Sequence, residues 1–223
     1  MAKLNFDPEA IPVHATAGEA ALAAERLVPS WLRARFGSPA AWIPETTDEQ
    51  RMRNADRAPT PAAVLVPLVV RPEGLAMLLT QRTAHLHDHA GQVSFPGGRV
   101  DEIDQGAIDT ALREAEEEVG LQRRHVEVLG CLPDYFTGTG FQVTPVVALV
   151  HPPFALQADT FEVAEIFEVP LAFLMDGQHH QLRTLDLPDG KGRRTFYAMP
   201  YGRYFIWGAT AGMIRNLYHF LRA

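Results

Sequence analysis

Residues 91–121, GQVSFPGGRVDEIDQGAIDTALREAEEEVGL, pass from a Gly/Pro-rich loop into a helical pattern. Ile108, Ala111, Leu112, Ala115 and Val119 recur at helical spacing and form one apolar stripe. Asp104 is the expected N-cap and Gly120 suits the position just past the last turn, so a helix is predicted from about Gln105 to Val119. On that helix Glu117 falls opposite the stripe, Glu114 and Glu118 fall towards one flank, and Arg113 lies to the other side. Three carboxylates thus share one sector. Like charges four residues apart cost an isolated helix a few tenths of a kcal/mol unless cations offset them. An all-carboxylate set suits Mg²⁺ or Mn²⁺ better than Zn²⁺. The plainer alternative is a solvated acidic face with an Arg113–Glu117 pair.

On both sides of this stretch the chain alternates strands and helices. Ala62–Val70 and Leu75–Arg82 are apolar runs joined by the turn residues Arg71-Pro72-Glu73-Gly74. Strands are expected at Val126–Leu132, Val143–Val150, Gln181–Leu187 and Arg194–Met199, and a short helix at Val169–Met175. A helix from about Ala209 carries the core stripe Met213, Ile214, Leu217, Phe220 and Leu221. Mixed strands between helices predict an α/β sandwich. Residues 1–60 form an N-terminal helical extension packed on a domain of residues 61–223. Within the extension, Thr16 and Glu19 make a capping box for a helix through about Leu27, and Pro29–Phe36 suggests a second.

At 223 residues the chain can bury a substantial core. A net charge of −7 argues against nucleic acid as a non-specific partner. The opening MAKLNFDPEA lacks the apolar core of a secretion signal, and no apolar run is long enough to span a bilayer, so a soluble, cytoplasmic protein with no membrane partner is expected. The single cysteine, Cys131, excludes an internal disulfide and reads as a buried thiol.

Arg113-Glu114-Ala115-Glu116-Glu117-Glu118-Val119-Gly120-Leu121 resembles, without a gap, the second half of the Nudix box, G-x5-E-x7-R-E-U-x-E-E-x-G-U, with U aliphatic. The first half departs. Strict spacing places Arg99 and Gln105 at the glycine and glutamate; Gly98 and Asp104 keep the first spacing but lengthen the second gap by one residue, and this alignment is preferred because it retains an acid. Upstream, LLTQRTAHLHDHAGQVSFPGG (Leu78–Gly98) is similar to the coenzyme A pyrophosphatase signature, LLTxR[SA]x3Rx3Gx3FPGG, with Thr83 in place of Ser or Ala and His87 in place of Arg. Arginine offers a permanent fork for phosphate, which histidine does not.

The resemblance implies a Nudix-like α/β/α sandwich with a mixed β-sheet flanked by helices. It implies Mg²⁺ or Mn²⁺ on Glu114, Glu117 and Glu118, with the Gly98 carbonyl as a further ligand and Arg113 orienting the glutamates. A small-molecule substrate would meet Arg82, His87, Phe95 and Gly97, and a homodimer is compatible with the resemblance. The general base stays open between Glu118 and Glu114 in the box and Glu162 and Glu165 beyond it. Arg82 ends a predicted strand beside the loop and is read as a phosphate contact. His85, His87 and His89 alternate but lack nearby cysteines for zinc, and Tyr135 and Phe136 are candidates for stacking on a base. The leading expectation is hydrolysis of the diphosphate of coenzyme A or acyl-CoA to (acyl-)phosphopantetheine and adenosine 3′,5′-bisphosphate. The rivals are a pyrophosphatase for ADP-ribose or NADH and a catalytically silent binding module.

Overall fold

The computed structural model describes residues 6–48, 58–85, 91–187 and 192–223. Its centre is a parallel pair, β2 (Thr60–Arg71) and β8 (Phe141–Val150), in register from Thr60↔Phe141 to Val69↔Val150. Both strands are buried on both faces, so they read as nearly continuous apolar runs. Their alternation assigns each side chain to one of two cores. Ala63, Leu65, Val69, Val146, Ala148 and Val150 face helix α2 (Ala107–Val119). Val66, Leu68, Val147 and Leu149 face the other layer, where α1 (Pro29–Gly37) contributes Leu32 and α4 (Gly208–Arg222) contributes Ile214, Leu217 and Phe220. The result is a mixed sheet with helices on both faces, as the alternating pattern requires.

The sheet opens where the quoted loop enters. Beyond a two-residue turn, β3 (Gly74–Arg82) pairs with β2 only from Met77↔Leu68 to Gly74↔Arg71. The first half of β2 pairs instead with β5 (Gly97–Arg99), while the far end of β3 pairs with β4 (Val93–Ser94). The Gly/Pro loop is therefore inserted between two diverging strands. Strand β6 (Val126–Cys131) and the two-residue β7 (Tyr135–Phe136) pair with β8, and β9 (Val163–Pro170) pairs with β3. The expected helix near Val169 is a single turn, α3 (Leu171–Leu174).

A second sheet has the order β1 (Val13–Thr16), β10 (Gln181–Asp186), β11 (Arg193–Tyr201) and β12 (Tyr204–Trp207). Thr16 does not start a helix; it ends β1, and only Ala24–Leu27 coil into one 3₁₀ turn. Backbone pairing of Thr16 with Gln181 overrides the local capping signal. The segment is tied to α4 by Arg215, 3% exposed, which bonds both carboxylate oxygens of Glu19 at 2.8 and 3.0 Å and Glu45 at 3.0 Å. Cys131 is also exposed rather than buried, because it ends an edge strand. Tyr135, a candidate for stacking on a base, is buried with its ring against Gly212 of α4. No helix of the described residues is long and apolar enough to cross a membrane.

Candidate active site

Helix α2 begins two residues later than predicted. Asp104 does not cap it; its carboxylate instead takes the Arg113 fork through Nε at 2.8 Å and Nη2 at 2.9 Å, together with the Thr110 hydroxyl at 2.8 Å and the Asp101 N–H at 2.9 Å. These donors hold the Asp104 carboxyl well below the usual carboxylate range, the Arg113 hydrogen bonds first among them. Gln105 is exposed, so Asp104 is the acid that meets Arg113. Arg113 then extends Nη1 to Glu114 at 2.9 Å and Glu117 at 3.0 Å. At the other end Gly120, at φ 69°, turns the chain out of the helix as expected. The buried face is carried by Ala111, Ala115 and Val119, whereas Ile108 is exposed at 42%. Thr110 and Glu118 are buried beside these three residues, so the buried face is turned from the predicted stripe towards Glu118.

Glu118 is 6% exposed. Its Oε2 accepts the Gly97 N–H at 3.3 Å, and Arg82 Nη1 stands 3.8 Å from Oε1. Burial nevertheless pushes its pKa up to about 8, with the negative charges of Glu162 and Glu114 adding to the rise. Burial also raises the Glu114 carboxyl, against the pull of Arg113. Gly98 lies directly over Glu114, where a Cβ would stand 2.5 Å from its carboxylate carbon. Gly97 runs so close to β2 that a Cβ would meet the Val64 Cα at 2.6 Å. At Gly97 only glycine lets the loop pass against the β2 backbone, whereas at Gly98 the missing Cβ leaves room for the Glu114 carboxylate.

Arg82 also places Nη2 3.6 Å from Glu162 Oε2, so it bridges Glu118 and Glu162. Glu162 reaches this position because residues 157–163 are zipped along the end of α2, with Gln157 N–H to Val119 O and Asp159 N–H to Glu118 O. Thr83 N–H bonds the Glu162 carbonyl at 2.9 Å, across the strand pair. Glu165 points elsewhere, to Arg203 and Tyr204.

The structure thus gathers Glu114, Glu118, Glu162 and Arg82 beneath Gly97 and Gly98. Glu117 stands on the solvent side, its side chain 58% exposed and held by Arg113. Phe95 is 3% exposed in the core, so it shapes the loop from beneath instead of offering a ring to a substrate. His87 and His89 lie outside the described residues. Among the described residues no three Asp, Glu, His or Cys side chains are drawn together closely enough to hold an ion as they stand. The donor set still fits a hard divalent cation: it is all oxygen, the buried Glu118 charge lacks full compensation, and Gly98 leaves open the space over Glu114 that a Cβ would fill. The approach of Glu162 was not separable from that of Glu165 by sequence, since both precede or enter β9 and only strand pairing distinguishes them.

Residues 59–189, more than half of the chain, match the NUDIX domain family. The chain is 49% identical over 157 residues to the Nudix hydrolase NudL of Escherichia coli (strain K12 / DH10B), covering 70% of this chain and 80% of the relative. NudL of Shigella boydii serotype 18 is 48% identical over the same length and coverage. Among solved structures, the Nudix hydrolase RenU of M. smegmatis aligns with a TM-score of 0.44 and 26% identity over 50% of this chain and 71% of that one. The chain belongs to the Nudix hydrolase family.

Proposed function

We propose that the protein hydrolyses the diphosphate of coenzyme A or an acyl-CoA, giving (acyl-)phosphopantetheine and adenosine 3′,5′-bisphosphate. The coarser activity, pyrophosphatase action on a nucleoside diphosphate derivative, follows from the family. The observation that carries the reading is the meeting of Arg82, from the Leu78–Gly98 signature, with the box carboxylate Glu118 and with Glu162 under one glycine loop.

Glu114, Glu117 and Glu118, with the Gly98 carbonyl, would hold Mg²⁺ or Mn²⁺. When bound, such a cation neutralises charge on the diphosphate oxygens and lowers the pKa of water. Arg82 turns its fork to a phosphate oxygen, exchanging two long carboxylate contacts for charge-assisted hydrogen bonds. Glu162 Oε2 faces the same space and accepts the proton of the attacking water. Water oxygen bonds to one phosphorus, the bridging P–O bond breaks, and the released phosphate leaves with the bridging oxygen. Asp104 fixes Arg113, which keeps Glu114 and Glu117 oriented.

Mass spectrometry of products after incubation with Mn²⁺ and coenzyme A, acetyl-CoA, NADH and ADP-ribose tests the reading. Phosphopantetheine and adenosine 3′,5′-bisphosphate are expected. Intact coenzyme A beside cleaved ADP-ribose or NADH would replace the substrate but keep the reaction class. Glu117→Gln is expected to abolish turnover while retaining the fold; near-normal turnover would remove the proposed metal site.

A further inference from the structure

Of the described Phe, Tyr and Trp side chains only Phe161 is mostly exposed, at 65%. A single exposed apolar residue is ordinary on a protein surface. Phe161 differs in how it is held and in what it adjoins. Its N–H bonds Asp159 Oδ1 at 2.9 Å, and its carbonyl accepts the Thr83 hydroxyl at 2.8 Å. The next residue is Glu162, whose carbonyl takes the Thr83 N–H. The backbone beneath the ring is therefore bonded on both sides, and it is the same backbone that presents Glu162 to Arg82. His85 meets the Phe161 ring edge to face, with centroids 5.1 Å apart and planes at 61°. That contact orients the ring while leaving most of its surface to solvent.

We infer that Phe161, braced by His85, is a stacking platform for the nucleobase of the substrate. The inference rests on the diphosphate reading above, which places the phosphates at Arg82, one residue from Thr83. Every nucleobase offers a flat π-face that stacks on an aromatic ring, whereas the pantetheine arm is a flexible amide chain without one. Tyr135 is buried and unavailable for this task. The platform selects for a ring on the nucleoside side and leaves the other side of the diphosphate unread. Thr83 is thereby a positioning residue, coupling the ring to the carboxylate.

The test compares wild type with Phe161→Leu and Phe161→Trp on two substrates, the nucleoside diphosphate derivative that is cleaved best and a dialkyl diphosphate lacking any ring. Calorimetric binding of adenosine 5′-monophosphate is measured alongside. Phe161→Leu is expected to raise KM for the nucleotide relative to the ring-free substrate roughly tenfold, within the range of base–aromatic stacking. Binding of adenosine 5′-monophosphate should weaken by a similar factor, and Phe161→Trp should restore both. Equal losses on the two substrates, or unchanged adenosine 5′-monophosphate binding in Phe161→Leu, would overturn the platform. If wild type cleaves no diphosphate, the reaction reading fails and binding alone decides: weakened binding in the variant upholds the platform, and no binding by wild type rejects it.

Discussion

Replacing Glu118 with Gln should make the metal-free protein more stable at alkaline pH while removing activity. Glu118 is buried, and its carboxyl is displaced from 4.5 to about 8. At 1.36 kcal/mol per pH unit that displacement corresponds to about 5 kcal/mol, and relaxation with water entry leaves about 3 kcal/mol to be observed. The sign follows from proton binding. Below 4.5 the carboxyl is protonated in both the folded and the unfolded chain. Between 4.5 and 8 the unfolded chain releases the proton and the folded one retains it, so stability falls as pH rises; above 8 the penalty is complete. Denaturant unfolding of the chelator-treated protein should therefore show wild type and Glu118→Gln close together at about pH 5 and separated by about 3 kcal/mol, variant above, at about pH 9. Titrations of groups that do not interact with Glu118 are common to the two proteins and cancel, so the pH-dependent gap reports Glu118 and the carboxylates coupled to it. Mg²⁺ should then stabilise wild type far more than the variant. A gap independent of pH, or no gap at about pH 9, would show that Glu118 carries no burial penalty.

Gly98→Ala should fold normally but lose most activity, since its Cβ displaces only the flexible Glu114 carboxylate; Gly97→Ala meets the β2 backbone and should lose about 1–3 kcal/mol in thermal or denaturant unfolding. Asp104→Asn should lower kcat by on the order of tenfold through misplacement of Arg113, Glu114 and Glu117. Restoring a carboxylate one residue on, in Asp104→Asn/Gln105→Glu, should recover part of the rate, which steady-state kinetics can read. His180 is fully buried and burial lowers its pKa to about 4, so stability should fall as pH drops from 6.5 towards 4 while the unfolded chain takes up the proton first. Burial opposes ionisation of Glu45, but hydrogen bonds from His219 and Tyr197 and the Arg215 charge outweigh it and bring its pKa to about 2, so a further loss should follow below 4.5. Urea midpoints of wild type and His180→Gln across this range check the first step, the variant showing the shallower decline.

Local patterns were enough where one residue's neighbours in sequence are also its neighbours in space. Ala111, Ala115 and Val119 announce α2, Gly120 its end, and Arg113 to Leu121 the family, because helical spacing converts sequence distance directly into a face. The central strands were legible for the same reason, since burial on both sides leaves an unbroken apolar run. The chemistry of the same helix needed the tertiary fold. Whether Asp104 or Gln105 meets Arg113 depends on how the loop returns to α2. That Glu118 is buried and Glu117 exposed depends on the loop lying between β2 and β3. Glu162 becomes a neighbour of Arg82 only through the pairing of β3 with β9 and the bonds from residues 157–163 to the end of α2. Thr16 shows the converse, a local helix signal overruled by pairing with Gln181. Sequence by itself determined the family, the layered α/β plan and the run of carboxylates on α2, all encoded in short-range spacing. Only the tertiary structure decided which carboxylates share one low-dielectric space, because that proximity is made by strand pairings, Arg82 with Val163 among them, between segments far apart in the chain.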